Sequence, residues 1–430
     1  MQHAAAHFKT SILTPYLPII MVMIGAFFYT YEIFIRVLPS MITSELMQTF
    51  ALTASKLGFI SSLFYYAYTA MQIPAGLLCD RFGPKRLLFS GLFICGSATI
   101  LLGTATTTVC VGLMRFISGA VSSFAMICPL VLIHNWLPSQ YFALFTGMIQ
   151  ALGCLGAILG GKPLAILLHL YGWRSTLYLV GGIGILLAIF LLCILRDRPQ
   201  KSNSHNSKAA LNQSMWTSLT LILTHKQNWF IGLTGFFSWG PLAAFAELWG
   251  VESISQLYQT SSEAATMHIL WIWIGVGTMS PLIGWWSDSI KSRKIPLITC
   301  FSLSCISTLI LNLSLDLHPY MLNLILFFLG LSAASQVITF SLIKEQNPSS
   351  ITGTAVSFNN MAVIFGGVVL QPLFGWILDY FWLGAETAVH TRIYSAVEYH
   401  DAMWIMPICS LLGLFMSTLL IQETHCQKQA

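Results

Sequence analysis

Charge is scarce: only 8% of the 430 residues are Asp, Glu, Lys or Arg, against about 25% in a soluble domain. That shortage excludes an ordinary soluble enzyme. No Gly-x-x-x-x-Gly-Lys-Ser/Thr loop occurs, so ATP hydrolysis is not expected. No polar domain exists to carry a Ser/His/Asp grouping or a metal-ligand cluster. Enzyme activity, cofactors and metals are therefore absent from the expectation. The cysteines lack zinc spacing; those from Cys79 to Cys409 lie in or beside apolar runs and read as small apolar residues. The formal charge of +5 is split among short loops rather than gathered on one face, which speaks against a nucleic-acid partner. No cleavable leader is expected either. Met1 to Thr10 is polar and no small-residue site follows the first apolar run, so that run is expected to stay as a spanning helix.

Apolar residues make up 56% of the chain. They fall into twelve runs near the ~20 residues that cross a bilayer. The run cores are Tyr16–Val37, Lys56–Leu78, Leu87–Ala105, Val109–His134, Phe142–Leu168, Arg174–Leu195, Trp229–Gly250, Ala264–Trp286, Pro296–Leu315, Met321–Ile343, Thr352–Leu378 and Met403–Ile421. Lys9, Arg81, Lys85, Arg86, the stretch Arg196 to Lys226, Lys291, Arg293, Lys294 and Lys344 fall on one side, with the C-terminal tail. The positive-inside rule makes that side, and both termini, cytoplasmic. Lys201 to Ser207 has the composition of a flexible linker, and Met215 to Leu223 is mildly amphipathic. The expected division is a six-helix bundle over 1–200, a linker over 201–227 and a second bundle over 228–430.

The halves repeat each other. Gly284 to Asp288 echoes Gly76 to Asp80 at an offset of 208 residues, and Phe236-Phe237 echoes Phe27-Phe28 at 209. Ser255 to Thr260 echoes Ser44 to Thr49 at 211, and Pro372 echoes Pro163 at 209. Four matches in one order at nearly one offset mark a duplication. Between the second and third runs, Gly76-Leu77-Leu78-Cys79-Asp80-Arg81-Phe82-Gly83-Pro84-Lys85-Arg86 must turn tightly, and Gly83-Pro84 supplies the turn. This stretch resembles the signature loop of the major facilitator superfamily, with Pro84 where the family often has a basic residue. The resemblance covers nearly the whole chain. It implies an all-α membrane protein of twelve helices in two pseudo-symmetric halves, with a solute site near the midplane between them. It also implies gating roles for Gly76, Asp80, Arg81, Gly83 and, in the second half, Asp288. Asp80 is expected to contact the start of helix 11 near Thr352, because a helix N-terminus prefers negative charge.

Ionisable residues inside spans are costly and so are functional candidates. Glu32 and Arg36 share a face of helix 1 with Tyr29; Arg115 lies on helix 4, Lys162 on helix 5 and Glu247 on helix 7. All five fall in the outer part of the membrane, and three bases against two acids leave one positive charge over. A solute carboxylate would supply the missing negative charge. The bland readings stand beside this: a self-neutralising Glu32–Arg36 pair, a structural Arg115, a snorkelling Lys162, a solvated Glu247. Arg115-x-x-x-Gly119 resembles the family's helix-4 motif, with Ser118 in place of the usual glutamine. Gly153, Gly156 and Gly160 space one face of helix 5 for close packing, and Lys162 projects about 200° from that stripe. Tyr65, Tyr68, Gln150, Asn359 and Gln371 are added as candidate solute contacts.

The expectation is a secondary active transporter in a bacterial inner membrane, working by alternating access. Its solute is a small organic anion or zwitterion: a carboxylate, an amino acid or a citrate-type chelator. Arg115, Lys162, Arg36 and Tyr29 would bind it, and Glu32 or Glu247 would carry a coupled proton. Partners are the solute, the bilayer and protons, and the protein acts as a monomer. Efflux of amphipathic compounds is the first alternative and a non-transporting solute sensor the second.

Overall fold

The computed structural model describes residues 16–137, 142–197, 215–313, 317–348, 351–386 and 392–427. These residues form helices and one isolated antiparallel bridge, Glu386–Arg392. In the first half come α1 (Leu17–Met41), α2 (Thr43–Phe50), α3 (Ala54–Ala70), α4 (Gln72–Phe82) and α5 (Pro84–Thr104). They are followed by α6 (Thr108–Ser122), α7 (Phe124–Trp136), α8 (Phe142–Leu159) and α9 (Lys162–Ile194). After α10 (Met215–Thr224), the second half holds α11 (Lys226–Ala244), a π-turn (Phe245–Trp249), α12 (Gly250–Tyr258), α13 (Ser262–Ile290) and α14 (Lys294–Leu313). It ends with α15 (Pro319–Ala334), α16 (Gln336–Glu345), α17 (Thr352–Tyr380), α18 (Ala396–Met403), α19 (Ile405–Phe415) and a second π-turn (Met416–Leu420).

Among the described residues, ten segments are long and apolar enough to cross a membrane. One of them, Met148–Ile194, has 47 residues, about 70 Å at ~1.5 Å per residue. That is more than twice the ~30 Å hydrocarbon core, so it must turn back. It does so at Gly172, whose φ of 72° only glycine adopts without strain. The broken pair α3–α4 completes a set of twelve spans.

The duplication is visible in the breaks. Span four is interrupted at Ser123 and span ten at Ser335, 212 residues on. In each, the serine hydroxyl donates to the carbonyl three residues back, at 2.7 Å and 2.6 Å, competing with the helix's own ladder. α2 and α12 each end on a left-handed residue, Ala51 and Gln259, 208 apart. α10 docks on the second half: Ile222 is fully buried, and the Asn228 amide and Trp229 indole donate to the carbonyls of Ile222 and Leu223.

The halves meet along α3 and α17. At the outer end, the one without the basic loops, a Cβ on Gly58 would lie 2.6 Å from the Gln371 carbonyl oxygen. Gly367 lies against the Tyr65 ring, and near the other end of the seam Asn360 donates to Gln72 at 2.8 Å. The glycine stripe of α8 receives α1: Gly153 faces the Tyr29 ring, Gly156 the Thr30 carbonyl and Gly160 the Val37 side chain.

Candidate functional site

One turn of α1 separates Glu32 from Arg36, and both are buried. The Arg36 Nε donates to Glu32 Oε1 at 2.9 Å, and Nη2 bonds the same oxygen. Glu32 Oε2 accepts nothing among the described residues. From the other half, Glu247 approaches Arg36 Nη1 at 4.0 Å. Glu247 sits in the π-turn that follows Pro241. A π-turn shifts the register of a helix, a device common at functional sites, and this one packs on α1. Neither oxygen of Glu247 accepts a hydrogen bond among the described residues. The carboxylate is 1% exposed, which excludes the solvated-cap reading.

Aromatic rings close the cluster. The Arg36 guanidinium lies 5.3 Å from the Tyr68 ring centre and 5.9 Å from those of Phe64 and Tyr65, within cation–π range. Arg115 stacks on Phe64 at 4.7 Å. Its two terminal nitrogens donate to the carbonyls of Ile35 and Ser61 at 3.4 and 3.3 Å. It borders a cavity of about 20 Å³ together with Ser61, Ser118 and residues of α1, α5 and α9, all in the first half. Arg115 therefore braces α1 against α3 inside one half rather than reaching across the seam.

Lys162 is placed elsewhere. The span-five helix breaks at Gly160-Gly161, and Lys162 is the exposed first residue of α9. The buried set is two bases and two acids, so the expected surplus of positive charge is not there. Tyr29 donates to Gln150 at 3.1 Å, behind the cluster on the α8 side. Gln371 donates to the Ala243 carbonyl at 2.9 Å, its backbone oxygen accepts from the Trp249 indole, and its Oε1 is open. Asn359 donates to Thr339 at 3.0 Å and keeps Oδ1 open; the Tyr65 hydroxyl, Ser238 and the Trp239 indole are also without a partner among the described residues. Buried polar groups without partners are rare. These five lie on α3, α11 and α17, which flank the interface between halves; others among the described residues, such as Glu45 and Asn312, lie elsewhere.

At the basic end, Arg81 lies exposed over Phe82, and Gly76 has open space where a Cβ would stand. The side chains of Asp80, Thr352 and His134 fall outside the described residues. Gly83 turns with φ 81°, and a Cβ there would meet the Asp197 carboxylate at 2.9 Å. Asp197 accepts from the Lys85 amide at 2.6 Å, capping α5. Its counterpart in the second half is Glu423, which accepts from Ser292 and from the Arg293 and Lys294 amides at the start of α14. Burial alone would raise the Glu423 carboxyl; these bonds outweigh it and hold it at about 2. Arg293 joins Asp288 at 2.7 Å and Glu345 at 2.6 Å. Asp197, Glu345 and Glu423 went unread in the sequence. The signal was there: in each half an acid stands two residues past the last apolar residue of the sixth span, Leu195 and Ile421.

Residues 22–259 and 248–428 match the sequence profile of the Major Facilitator Superfamily. The chain belongs to that superfamily. The uncharacterized transporter YybO of Bacillus subtilis is 24% identical over 372 residues, covering 80% of this chain and 84% of that protein. A probable hexose phosphate transport protein of Chlamydia muridarum is 24% identical over 88% of each chain. The D-galactonate transporter of Escherichia coli is 23% identical over 78% of this chain and 83% of its own. Among solved structures, a bacterial homolog of the human lysosomal transporter Spinster, in an inward-facing and unoccupied conformation, superposes with a TM-score of 0.75. It is 15% identical and covers 93% of this chain and 96% of its own. The D-xylose–proton symporter gives 0.74 at 15% identity, covering 96% and 99%. The protein is thus a multi-pass membrane transporter of this superfamily.

Proposed function

We propose that this transporter moves a small organic anion together with protons, from a site centred on Arg36. The observation that carries the proposal is the position of Arg36 between carboxylates from opposite halves, with Glu247 4.0 Å away and bare of hydrogen bonds. An ionised carboxylate buried without bonds is costly. Protonation removes that cost, and it frees the Arg36 fork to take a solute carboxylate or phosphate bidentately. Two buried acids balance two buried bases, so one proton plus one monoanion leaves the cluster neutral. A dianion requires Glu32 to take a second proton. The proposed roles are anion contact for Arg36, proton carriage for Glu247 and Glu32, and bracing for Arg115. Tyr65, Tyr68, Asn359 and Gln371 offer open hydrogen-bonding groups and ring faces to the rest of the solute. Relatives named for D-galactonate and hexose phosphate, both hydroxylated anions, support this chemistry. The proposed setting is a bacterial inner membrane, with both termini cytoplasmic and the chain acting as a monomer.

The test is uptake into proteoliposomes of D-galactonate, glucose 6-phosphate and sulfoacetate, beside a neutral sugar and a neutral amphipathic dye. At least one anion should accumulate when the proton gradient drives it, and Glu247→Gln should abolish accumulation while sparing exchange. Movement of the dye alone would overturn the proposal in favour of efflux.

A further inference from the structure

Helix α3 begins the first half's contribution to the seam, and its free amides are met in an unusual way. The first N–H groups of a helix have no partner within it. Thr53 caps α3 and takes the Lys56 amide. The Ser55 amide instead donates to Asp379 at 2.9 Å, and the Ala54 amide donates to the Tyr394 hydroxyl oxygen at 3.1 Å. Asp379 is at the outer end of α17 and Tyr394 just before α18, both in the other half. Tyr394 in turn donates to Asp379, the Ser55 hydroxyl bonds the same carboxylate, and Arg392 pairs with it at 3.1 Å. Burial, then the bond to Asp379, push the Tyr394 hydroxyl above the usual phenol range, so it stays a donor. Arg392 is itself held over the Trp382 ring at 4.2 Å. Nothing in the local sequence around Ala54 supplies these partners.

We infer that Asp379 and Tyr394 are positioning residues of the transport cycle: they latch the outer gate by capping a helix that belongs to the opposite half. The latch exists only while the outer ends of α3 and α17 touch. Opening the gate strips two amides of α3 and the Ser55 hydroxyl of their partners at once, and leaves the Asp379 carboxylate only Tyr394 and Arg392 of its own half. The charge of Asp379 also sits at the positive end of α3, where an amide would interact more weakly. A comparable contact, with the start of α17, is the expectation for Asp80 at the opposite end. Two acids related in this way would favour opposite states of the same seam.

The measurement is the distance between spin labels on Gln48→Cys and Glu263→Cys, outer positions in opposite halves, with Cys110, Cys193 and Cys426 replaced by Ser. The full-length protein is used in detergent, with no solute, so the outcome does not depend on the anion and proton roles proposed above. The unsubstituted latch should give mainly the short, outer-closed distance. Tyr394→Phe and Asp379→Asn should each raise the long-distance population about tenfold, the factor one charge-assisted hydrogen bond carries. Ser55→Ala, made from the other half, should shift it the same way and add less than independently to Asp379→Asn. A merely structural role would lower thermal stability without moving the ratio of the two distances. Unshifted distances in Tyr394→Phe and Ser55→Ala overturn the inference even if Asp379→Asn fails to fold.

Discussion

Two charged networks in this chain have similar parts and opposite character. At the basic end, Arg293 binds Asp288 and Glu345, while Glu423 accepts from Ser292 and two backbone amides. Every element of that network belongs to the second half. Within the membrane, Arg36 binds Glu32 at close range and Glu247 at 4.0 Å, and three of the four carboxylate oxygens accept nothing among the described residues. That network crosses between halves. A satisfied network inside one half is a clamp that moves as a body. An unsatisfied one across two halves has something left to bind, and its geometry must change whenever the halves rock.

The difference can be broken from either side. The largest effect is expected from Arg36→Gln, which should abolish uptake. It leaves two buried acids without a cation, a loss on the order of 3–5 kcal/mol that a thermal melt will read. Arg36→Lys should keep the fold but not the bidentate anion site, separating the two effects. Next comes Arg293→Gln, which should lower stability by about 3 kcal/mol yet leave the proton dependence of transport, per folded molecule, as it was. If that variant lost coupling while remaining folded, the contrast between clamp and site would fail.

Smaller is the effect of Glu423→Gln, about 1 kcal/mol. Its carboxyl is held at about 2, below the ~4.3 of an unfolded glutamate. The stability it contributes is thus complete above ~4.3 and fades as pH falls through 2. Melts of the variant and the parent should differ at pH 7 and converge near pH 2. A difference that persisted there would contradict the bonding seen at α14. Asp288→Asn should do least, since two-thirds of that side chain is exposed and exposed pairs contribute ~0.2–1 kcal/mol.

The fold was legible because the duplication, the apolar runs and the Gly76–Arg86 loop all pointed one way. The site was legible in part. Glu32, Arg36 and Glu247 stood out because charge is costly in a span, and the structure brings those three together. Lys162 misled because its helical projection was continued across Gly160-Gly161, where one helix ends and the next begins. Arg115 pointed to the right neighbourhood, but only the cavity it borders shows that it faces into its own half. Glu247 looked close enough to the outer end to be solvated. The π-turn and α12 beyond it, which bury it, leave no periodic trace in so apolar a stretch. Asp379 went unread, since its partner Ser55 lies in the other half, 324 residues away in sequence.

The central claim is that a proton on Glu247 and an anion on Arg36 arrive together. The most direct test is proton uptake, read with a pH indicator, when D-galactonate, glucose 6-phosphate or sulfoacetate is added to the purified protein in weak buffer. For an anion that binds, linkage requires net proton uptake on binding, approaching one proton per monoanion where Glu247 starts out ionised. In Glu247→Gln, with the anion still bound, uptake should vanish for the monoanion D-galactonate and fall by one proton for a dianion. Binding without proton uptake in the parent protein, or equal uptake in the Gln variant, would contradict the account.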